Sequence, residues 1–249
     1  MLSIIEQITS VHILIALVGG ILPALIWLLF WIREDAHPEP RRRIFFTFIF
    51  GMFSVILALG LQFVLIHTFF GSIDSQSIVK RSLFVGIIAV LLSSLIEEVL
   101  KFGSAYLGGI HTRDADEPID IIVYMLAAGL GFAAFENALY ILTPVVLGEA
   151  TTAIITGNLR FIGATLLHVG TSLILGFILA FSLFKNEKIR HRYLAIGLVT
   201  VALLHGAFNL LIILYEDYTV YIFAAVWLGL IASLFIFEKL KKIHLNRIQ

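Results

Sequence analysis

Residues 82–107 read SLFVGIIAVLLSSLIEEVLKFGSAYL, a stretch of 26 residues whose only charged side chains are those of Glu97, Glu98 and Lys101. A mostly apolar run of this length is long enough to cross the hydrocarbon core of a bilayer as an α-helix. The stretch therefore predicts a membrane-spanning helix. It also predicts that this helix carries a function, because charged groups at membrane depth are costly to insert and mark functional sites.

The rest of the chain repeats the pattern. Further apolar runs of membrane-spanning length lie at 12–32, 44–70, 120–142, 159–184, 193–214 and 219–238. They do not alternate apolar and polar residues as the strands of an outer-membrane barrel do. Helices are then the remaining way to satisfy the backbone in lipid. We predict an all-α, polytopic membrane bundle of about seven helices. It forms a single integral-membrane domain over 1–249, with its motif-bearing core at about 82–214.

The composition excludes several classes of protein. Hydrophobic residues make up 60% of the 249 residues and charged residues only 14%, whereas soluble domains carry about 25% charged residues. A water-soluble enzyme is therefore excluded. The 17 basic and 17 acidic residues cancel, so the chain has no basic field that would attract nucleic acid. The absence of cysteine excludes disulfides, thiolate nucleophiles and thiolate metal sites.

The basic residues predict the orientation of the bundle. Of the 17 Lys and Arg, 13 fall on one side, three on the other and one within a helix. The 13 lie in segments 33–43, 108–119 and 185–192 and in the C-terminal tail, and the three are Lys80, Arg81 and Arg160. Short cytoplasmic loops carry an excess of Lys and Arg. We expect a cell-membrane protein with its N-terminus outside and its C-terminus in the cytoplasm.

Polar side chains interrupt four of the predicted helices. They are Glu97, Glu98 and Lys101 in the third, Glu136 and Asn137 in the fourth, His168 in the fifth, and His205 and Asn209 in the sixth. Four unpaired charges would cost on the order of 10 kcal/mol in the bilayer, so these groups are expected to meet inside the bundle. Glu97 and Lys101 are four residues apart, share a helix face and can pair.

Three kinds of function fit this set. Adjacent carboxylates cannot both carry a charge cheaply in a low dielectric, so they divide into acid and base roles. With histidine they can activate a water, and His and Asn can donate to an oxyanion, which together hydrolyse an acyl bond without a covalent intermediate. Alternatively, Glu136, His168 and His205 could ligate a divalent metal such as zinc. A proton-coupled secondary transporter could use the same polar core.

These residues resemble the motifs of the PrsW family of membrane proteases, which is distantly similar to the CAAX-processing and bacteriocin-processing proteases. Glu97-Glu98-Val99-Leu100-Lys101 resembles the EExxK box of that family. Phe132-Ala-Ala-Phe-Glu136-Asn137 resembles its second motif, His168 matches the histidine of the third, and His205-Gly-Ala-Phe-Asn209 resembles the last. The loop from Asp35 to Pro40 resembles the acidic Glu-Pro loop after the first helix.

The resemblance implies a glutamic-type intramembrane or juxtamembrane endopeptidase that cuts a membrane-anchored protein, such as a single-span anti-sigma factor. It implies Glu97 and Glu98 as the water-activating pair and Glu136 and His168 as assisting groups. His205 and Asn209 would be oxyanion donors, with Lys101 and Asn137 in support. We expect no required cofactor, with a zinc-dependent hydrolase as the alternative. Glu136 stands where the CAAX-type relatives have histidine, which speaks against a CAAX substrate.

Overall fold

The computed structural model describes residues 6–33, 39–71, 78–79 and 82–248, without the side chains of 236–248. Seven helices in this part are long and apolar enough to cross a membrane. They are α1 Ser10–Arg33, α2 Arg41–Phe70, α3 Leu83–Ile110, α4 Pro118–Val146, α5 Ala150–Ala180, α6 Glu187–Leu214 and α7 Thr219–Ile248. A short 3₁₀ turn, Glu216–Tyr218, precedes α7. The prediction of an all-α, polytopic membrane bundle is confirmed.

Two helices begin well before their predicted apolar runs. α5 begins at Ala150 and α6 at Glu187, so most of segment 185–192, predicted as a loop, is helical. The Asn186 side chain caps α6 by accepting a hydrogen bond from the Ile189 backbone N at 3.0 Å. Hydropathy indicates where a helix meets the membrane interface. The helix itself continues through polar residues until a cap or a turn ends it.

Helix α4 forms the centre of the bundle. Every residue from Ile119 to Ala134 is buried, so this helix contacts protein on all sides. Helices α1, α2 and α5 pack directly against it, whereas α7 lies at the edge of the bundle and contacts mainly α5. Helix α3 packs between α2 and α6. This arrangement turns α3, α4, α5 and α6 toward a common interior region, the one that contains the polar residues.

Two glycines set the close approach of α2 and α4. A Cβ atom at Gly51 on α2 would lie 2.2 Å from the carbonyl oxygen of Ala128, and one at Gly131 on α4 would lie 2.0 Å from the carbonyl oxygen of Phe48. Such distances are reached only when a side chain is absent, which is why small residues are enriched where membrane helices cross. The two backbones therefore touch at this crossing.

Two of the helices contain a π turn. The turn Tyr106–Ile110 ends α3, and the turn Arg160–Ala164 lies inside α5, just before His168. A π turn is uncommon and is found frequently at functional sites. In α5 it changes which side chains face α4, with consequences for the site described next.

Candidate active site

The polar residues predicted from the sequence converge where α3, α4, α5 and α6 meet. The hydrogen-bonded cluster contains Glu97, Glu98, Lys101, Glu136, Asn137, His168 and His205. Only the sixth-helix amide, Asn209, lies apart from it: this side chain is half-buried and makes no hydrogen bond to the part of the chain that the structure describes. The convergence pairs most of the charges that each helix alone would leave unpaired in lipid.

Lys101 pairs with Glu98 and not with Glu97. Its Nζ donates to Glu98 Oε1 at 2.6 Å, and both side chains are fully buried. Glu97 turns instead toward α2, where Gln62 Nε2 donates to its Oε1 at 2.8 Å. Both spacings bring side chains onto one helix face. The predicted pair of Glu97 with Lys101, four residues apart, is therefore not formed. Lys101 pairs with Glu98, three residues away, and Glu97 has Gln62 as its partner instead.

The lysine also determines the proton position on His168. Lys101 Nζ lies 3.1 Å from His168 Nδ1 and donates to Thr171 Oγ1 at 3.3 Å. An ammonium group can only donate, so Nδ1 accepts and the ring proton lies on Nε2. This Nε2–H donates to Glu136 Oε2 at 3.0 Å. Both nitrogens of His168 are thereby engaged.

His205 contacts both adjacent glutamates. Its Nδ1 lies 2.6 Å from Glu98 Oε1, the oxygen that also accepts from Lys101, so Nδ1 donates. In a neutral imidazole the other nitrogen then carries a free lone pair. This Nε2 lies 3.5 Å from Glu97 Oε2, a buried oxygen that has no hydrogen bond with the described residues. With a neutral His205 and an ionised Glu97, one acceptor nitrogen and one acceptor oxygen therefore face each other.

The sequence reasoning missed two residues of the site, Gln62 and Arg160. Arg160 Nη2 donates to Glu136 Oε2 at 2.5 Å, and its Nε donates to Asn137 Oδ1 at 2.7 Å. The predicted fifth helix begins at residue 159, which puts Arg160 at its outer end and assigns its charge to the outer side of the membrane. The early start of α5 places it inside the membrane-spanning helix, two turns before His168.

Charge and exposure define the character of the site. Among the described residues of the cluster, three glutamates face two cations, Lys101 and Arg160. With neutral histidines one negative charge is left over, and a low dielectric requires a proton or a cation to balance it. The side chains of Glu98 and Lys101 are 0% exposed, whereas those of Glu97 and Glu136 are 11% and 20% exposed. Glu97 and Glu136 therefore lie nearer the surface of the cluster than Glu98 and Lys101 do.

Part of the cluster fits a divalent metal ion. Glu97, His168 and His205 each offer a ligand atom, and these atoms lie within 4.8 Å of one another. Bond lengths of about 2.0–2.1 Å place tetrahedral zinc ligands about 3.3 Å apart, which Glu97 Oε2 and His205 Nε2 nearly match. A carboxylate behind a ligating histidine, as Glu98 is behind His205, is the usual outer-shell arrangement. His168 fits only if it releases Lys101 or Glu136.

A bundle of membrane-spanning helices that buries glutamates and histidines together is consistent with the class of membrane-embedded enzymes. The chain is a member of the PrsW-protease family: residues 39–236 match this family, described as PrsW family intramembrane metalloprotease. The protein is therefore a multi-pass membrane peptidase, and the resemblance found in the motifs is confirmed. Membership also decides against the secondary transporter.

Known relatives support the same assignment. The chain is 26% identical over 217 residues to Protease PrsW of Bacillus subtilis (strain 168), covering 85% of this chain and 91% of that protein. It is 28% identical over 192 residues to Protease PrsW of Geobacillus kaustophilus (strain HTA426), covering 77% and 76%. Over 198 residues it is 27% identical to Protease PrsW of Clostridioides difficile (strain 630), covering 78% of each. No solved structure matches the chain significantly.

Proposed function

We propose that the protein hydrolyses a peptide bond of a membrane-anchored protein with a water molecule activated by Glu97 and His205. The observation that carries this proposal is the pair of acceptors at 3.5 Å, Glu97 Oε2 and His205 Nε2. A carboxylate oxygen beside an imidazole nitrogen can bind both protons of one water and remove one of them. Glu97 is also the less deeply buried of the adjacent glutamates, with a side chain 11% exposed against 0% for Glu98, so it lies nearer to an approaching substrate.

Glu98 then has a supporting role. It is fully buried, and its Oε1 accepts hydrogen bonds from Lys101 and His205. A buried carboxylate on the far nitrogen of a histidine fixes the ring orientation and stabilises the imidazolium when the ring takes up a proton. We therefore assign unequal roles to the two glutamates: Glu97 is the base, and Glu98 positions His205.

The proposed reaction needs one donor for the developing oxyanion. Glu97 takes a proton from water while the water oxygen attacks the carbonyl carbon, and a tetrahedral intermediate forms. The proton then passes to the amide nitrogen, the C–N bond breaks, and a carboxylic acid and an amine leave. The half-buried Asn209, one turn beyond His205, is the candidate donor to the oxyanion. His205 can join it only after Nε2 has gained a proton.

Glu136 and His168 are assigned an assisting role. The carboxylate of Glu136 lies at the open edge of the site and accepts from His168 Nε2 at 3.0 Å. The ring of His168 also packs edge-on against that of His205, with centroids 5.2 Å apart. His168 therefore connects the Glu136 carboxylate to the imidazole ring of His205, which is proposed to bind the water.

A metal-dependent form of the same hydrolase is the second candidate, favoured by the clustering of Glu97, His168 and His205. These three residues would hold the ion, with Glu97 in place of the predicted Glu136. A divalent ion bound there would polarise the substrate carbonyl or acidify a bound water. To decide, purified enzyme in nanodiscs is treated with a strong chelator, and its metal content and activity are measured. Full activity after complete metal removal supports the metal-free form, whereas complete, zinc-reversible inhibition supports the metal form.

A single-span, anti-sigma-factor-like protein is the proposed substrate class, on the strength of the family resemblance. The test co-expresses candidate substrates with the wild type, Glu97→Gln and Glu149→Gln. Glu149 is exposed at the start of α5 and lies outside the cluster, so it controls for the substitution itself. A shortened product with the wild type and Glu149→Gln, but not with Glu97→Gln, supports the proposal. Cleavage by Glu97→Gln at the wild-type rate contradicts it.

A further inference from the structure

We propose that Arg160 is a positioning residue of this active site, which holds the carboxylate of Glu136 where it accepts the hydrogen bond of His168. Arg160 Nη2 and His168 Nε2 both donate to the same oxygen, Glu136 Oε2, at 2.5 Å and 3.0 Å. The orientation of that carboxylate is therefore shared between the arginine and the histidine. The inference rests on the proposed function, because peptide cleavage is its main measurement.

The guanidinium group of Arg160 is itself held from several directions. Its Nε donates to Asn137 Oδ1 at 2.7 Å while its Nη2 binds Glu136, so two adjacent residues of α4 are bound at once. Its carbon lies 3.8 Å from the centroid of the Tyr140 ring, one turn further along α4. The rigid planar fork of arginine and its stacking on aromatic rings make such a site specific for arginine rather than lysine.

The π turn of α5 is what brings Arg160 to this position. In a regular α-helix, residues five apart point about 140° away from each other. The π turn joins them by a hydrogen bond from residue i+5 to residue i, here from Thr165 N to the Arg160 carbonyl. Both side chains then bind Asn137, since its Nδ2 donates to Thr165 Oγ1 at 2.8 Å.

A close packing contact supports the turn from outside. A Cβ atom at Gly163, in the middle of the π turn, would lie 2.2 Å from the ring of Phe223 on α7. A side chain at this position would displace the Phe223 ring. Helix α7 therefore braces the irregular turn that presents Arg160, although α7 contributes no side chain to the described cluster.

Burial separates this contact from an ordinary surface ion pair. The side chains of Arg160 and Glu136 are 15% and 20% exposed, and both lie in membrane-spanning helices. Exposed pairs contribute little, but removing one partner of a shielded pair leaves the other without compensation. Arg160 could alternatively bind the substrate directly. The two roles differ in a double-mutant cycle, because only a positioning residue acts through Glu136.

The experiment measures kcat and KM for the wild type, Arg160→Gln, Glu136→Gln and the double variant. Gln at 136 keeps an oxygen that can accept from His168. We expect Arg160→Gln to lower kcat at least about tenfold, since it removes charge-assisted hydrogen bonds, and to change KM little. When Glu136 is already replaced by Gln, adding Arg160→Gln should lower kcat by less than about threefold. The kcat of Arg160→Lys should lie between those of the wild type and Arg160→Gln, because lysine keeps the charge but lacks the planar guanidinium group.

A neighbouring residue of α5 provides the control for this experiment. Asn158→Ala removes an exposed amide whose one hydrogen bond among the described residues goes to the Ile154 carbonyl, one turn away on α5, and it should leave kcat unchanged. Equal losses from Arg160→Gln in both backgrounds would overturn the positioning role. If Arg160→Gln does not accumulate, Arg160→Lys is carried through the same cycle. Failure of the proposed base would appear separately, as full activity of Glu97→Gln with the Arg160–Glu136 coupling still measurable.

Discussion

His205 Nδ1 lies 2.6 Å from Glu98 Oε1, although 107 residues separate the two in the chain. This contact distinguishes Glu98 from Glu97. Neighbouring residues of a helix point about 100° apart, so one glutamate faces Lys101 and the near side of the imidazole while the other faces Gln62 and the far nitrogen. The same histidine thus touches a fully buried, charge-paired carboxylate and a less deeply buried one, whose Oε2 has no hydrogen bond with the described residues. That asymmetry carries the proposed division of roles.

The first prediction concerns the two glutamates. Glu97→Gln should abolish cleavage and leave the melting temperature in detergent nearly unchanged, because the ion pair of Lys101 stays intact. Glu98→Ala should abolish cleavage and also lower the melting temperature, since breaking a buried ion pair lowers the free energy of unfolding by about 3–5 kcal/mol. Cleavage assays and thermal melts of the purified variants check both. Full activity of both Glu97→Gln and Glu98→Gln would show that neither carboxylate is a base.

The second prediction concerns Asn209. If its amide donates to the oxyanion, Asn209→Ala should lower kcat by about 10²–10³, the usual cost of one oxyanion donor. KM should change little, because an interaction made only in the transition state is removed. Steady-state kinetics with a fixed substrate checks this, with Asn158→Ala as the amide control. An unchanged kcat would remove Asn209 from the mechanism.

The third prediction concerns the crossing of α2 and α4. Gly51→Ala places a Cβ atom 2.2 Å from the Ala128 carbonyl oxygen, so the two helices must separate. We expect little folded protein and no activity. Gly60→Ala lies on the same helix with no atom within 4 Å of the added Cβ, and should behave as the wild type. Yield after size-exclusion chromatography distinguishes the two, and equal yields would contradict the packing argument.

The fourth prediction is the orientation of the bundle. Because Lys and Arg are concentrated in the segments assigned to the cytoplasm, single cysteines at residues 40 and 188 should resist an impermeant thiol reagent applied to intact cells. They should react after the cells are permeabilised. A cysteine at residue 217, before α7, should react from outside. The chain has no native cysteine, so each signal comes from the introduced residue alone. Labelling of residue 40 or 188 from outside would reverse the assigned topology.

Much of the fold could be predicted because hydropathy is a local property. Each run of apolar residues had to lie in lipid or against another helix, whatever the rest of the chain did, and seven helices follow from that. The helix ends could not be predicted in the same way. Asn186 caps α6 at residues too polar to be read as membrane-spanning, and α5 begins in a segment rich in threonine, so hydropathy predicts later starts for these helices, at residues 193 and 159.

The sequence by itself singled out most residues of the polar cluster, because a charge in the bilayer is costly at whatever position it occupies. Glu97, Glu98, Glu136, His168 and His205 stand out for that reason alone. Only the tertiary structure decided how they pair. Helix geometry allows Lys101 to meet either glutamate, and the choice depends on Gln62 and His205, which come from other helices. Arg160 likewise joins the site through a π turn, which apolar periodicity does not reveal.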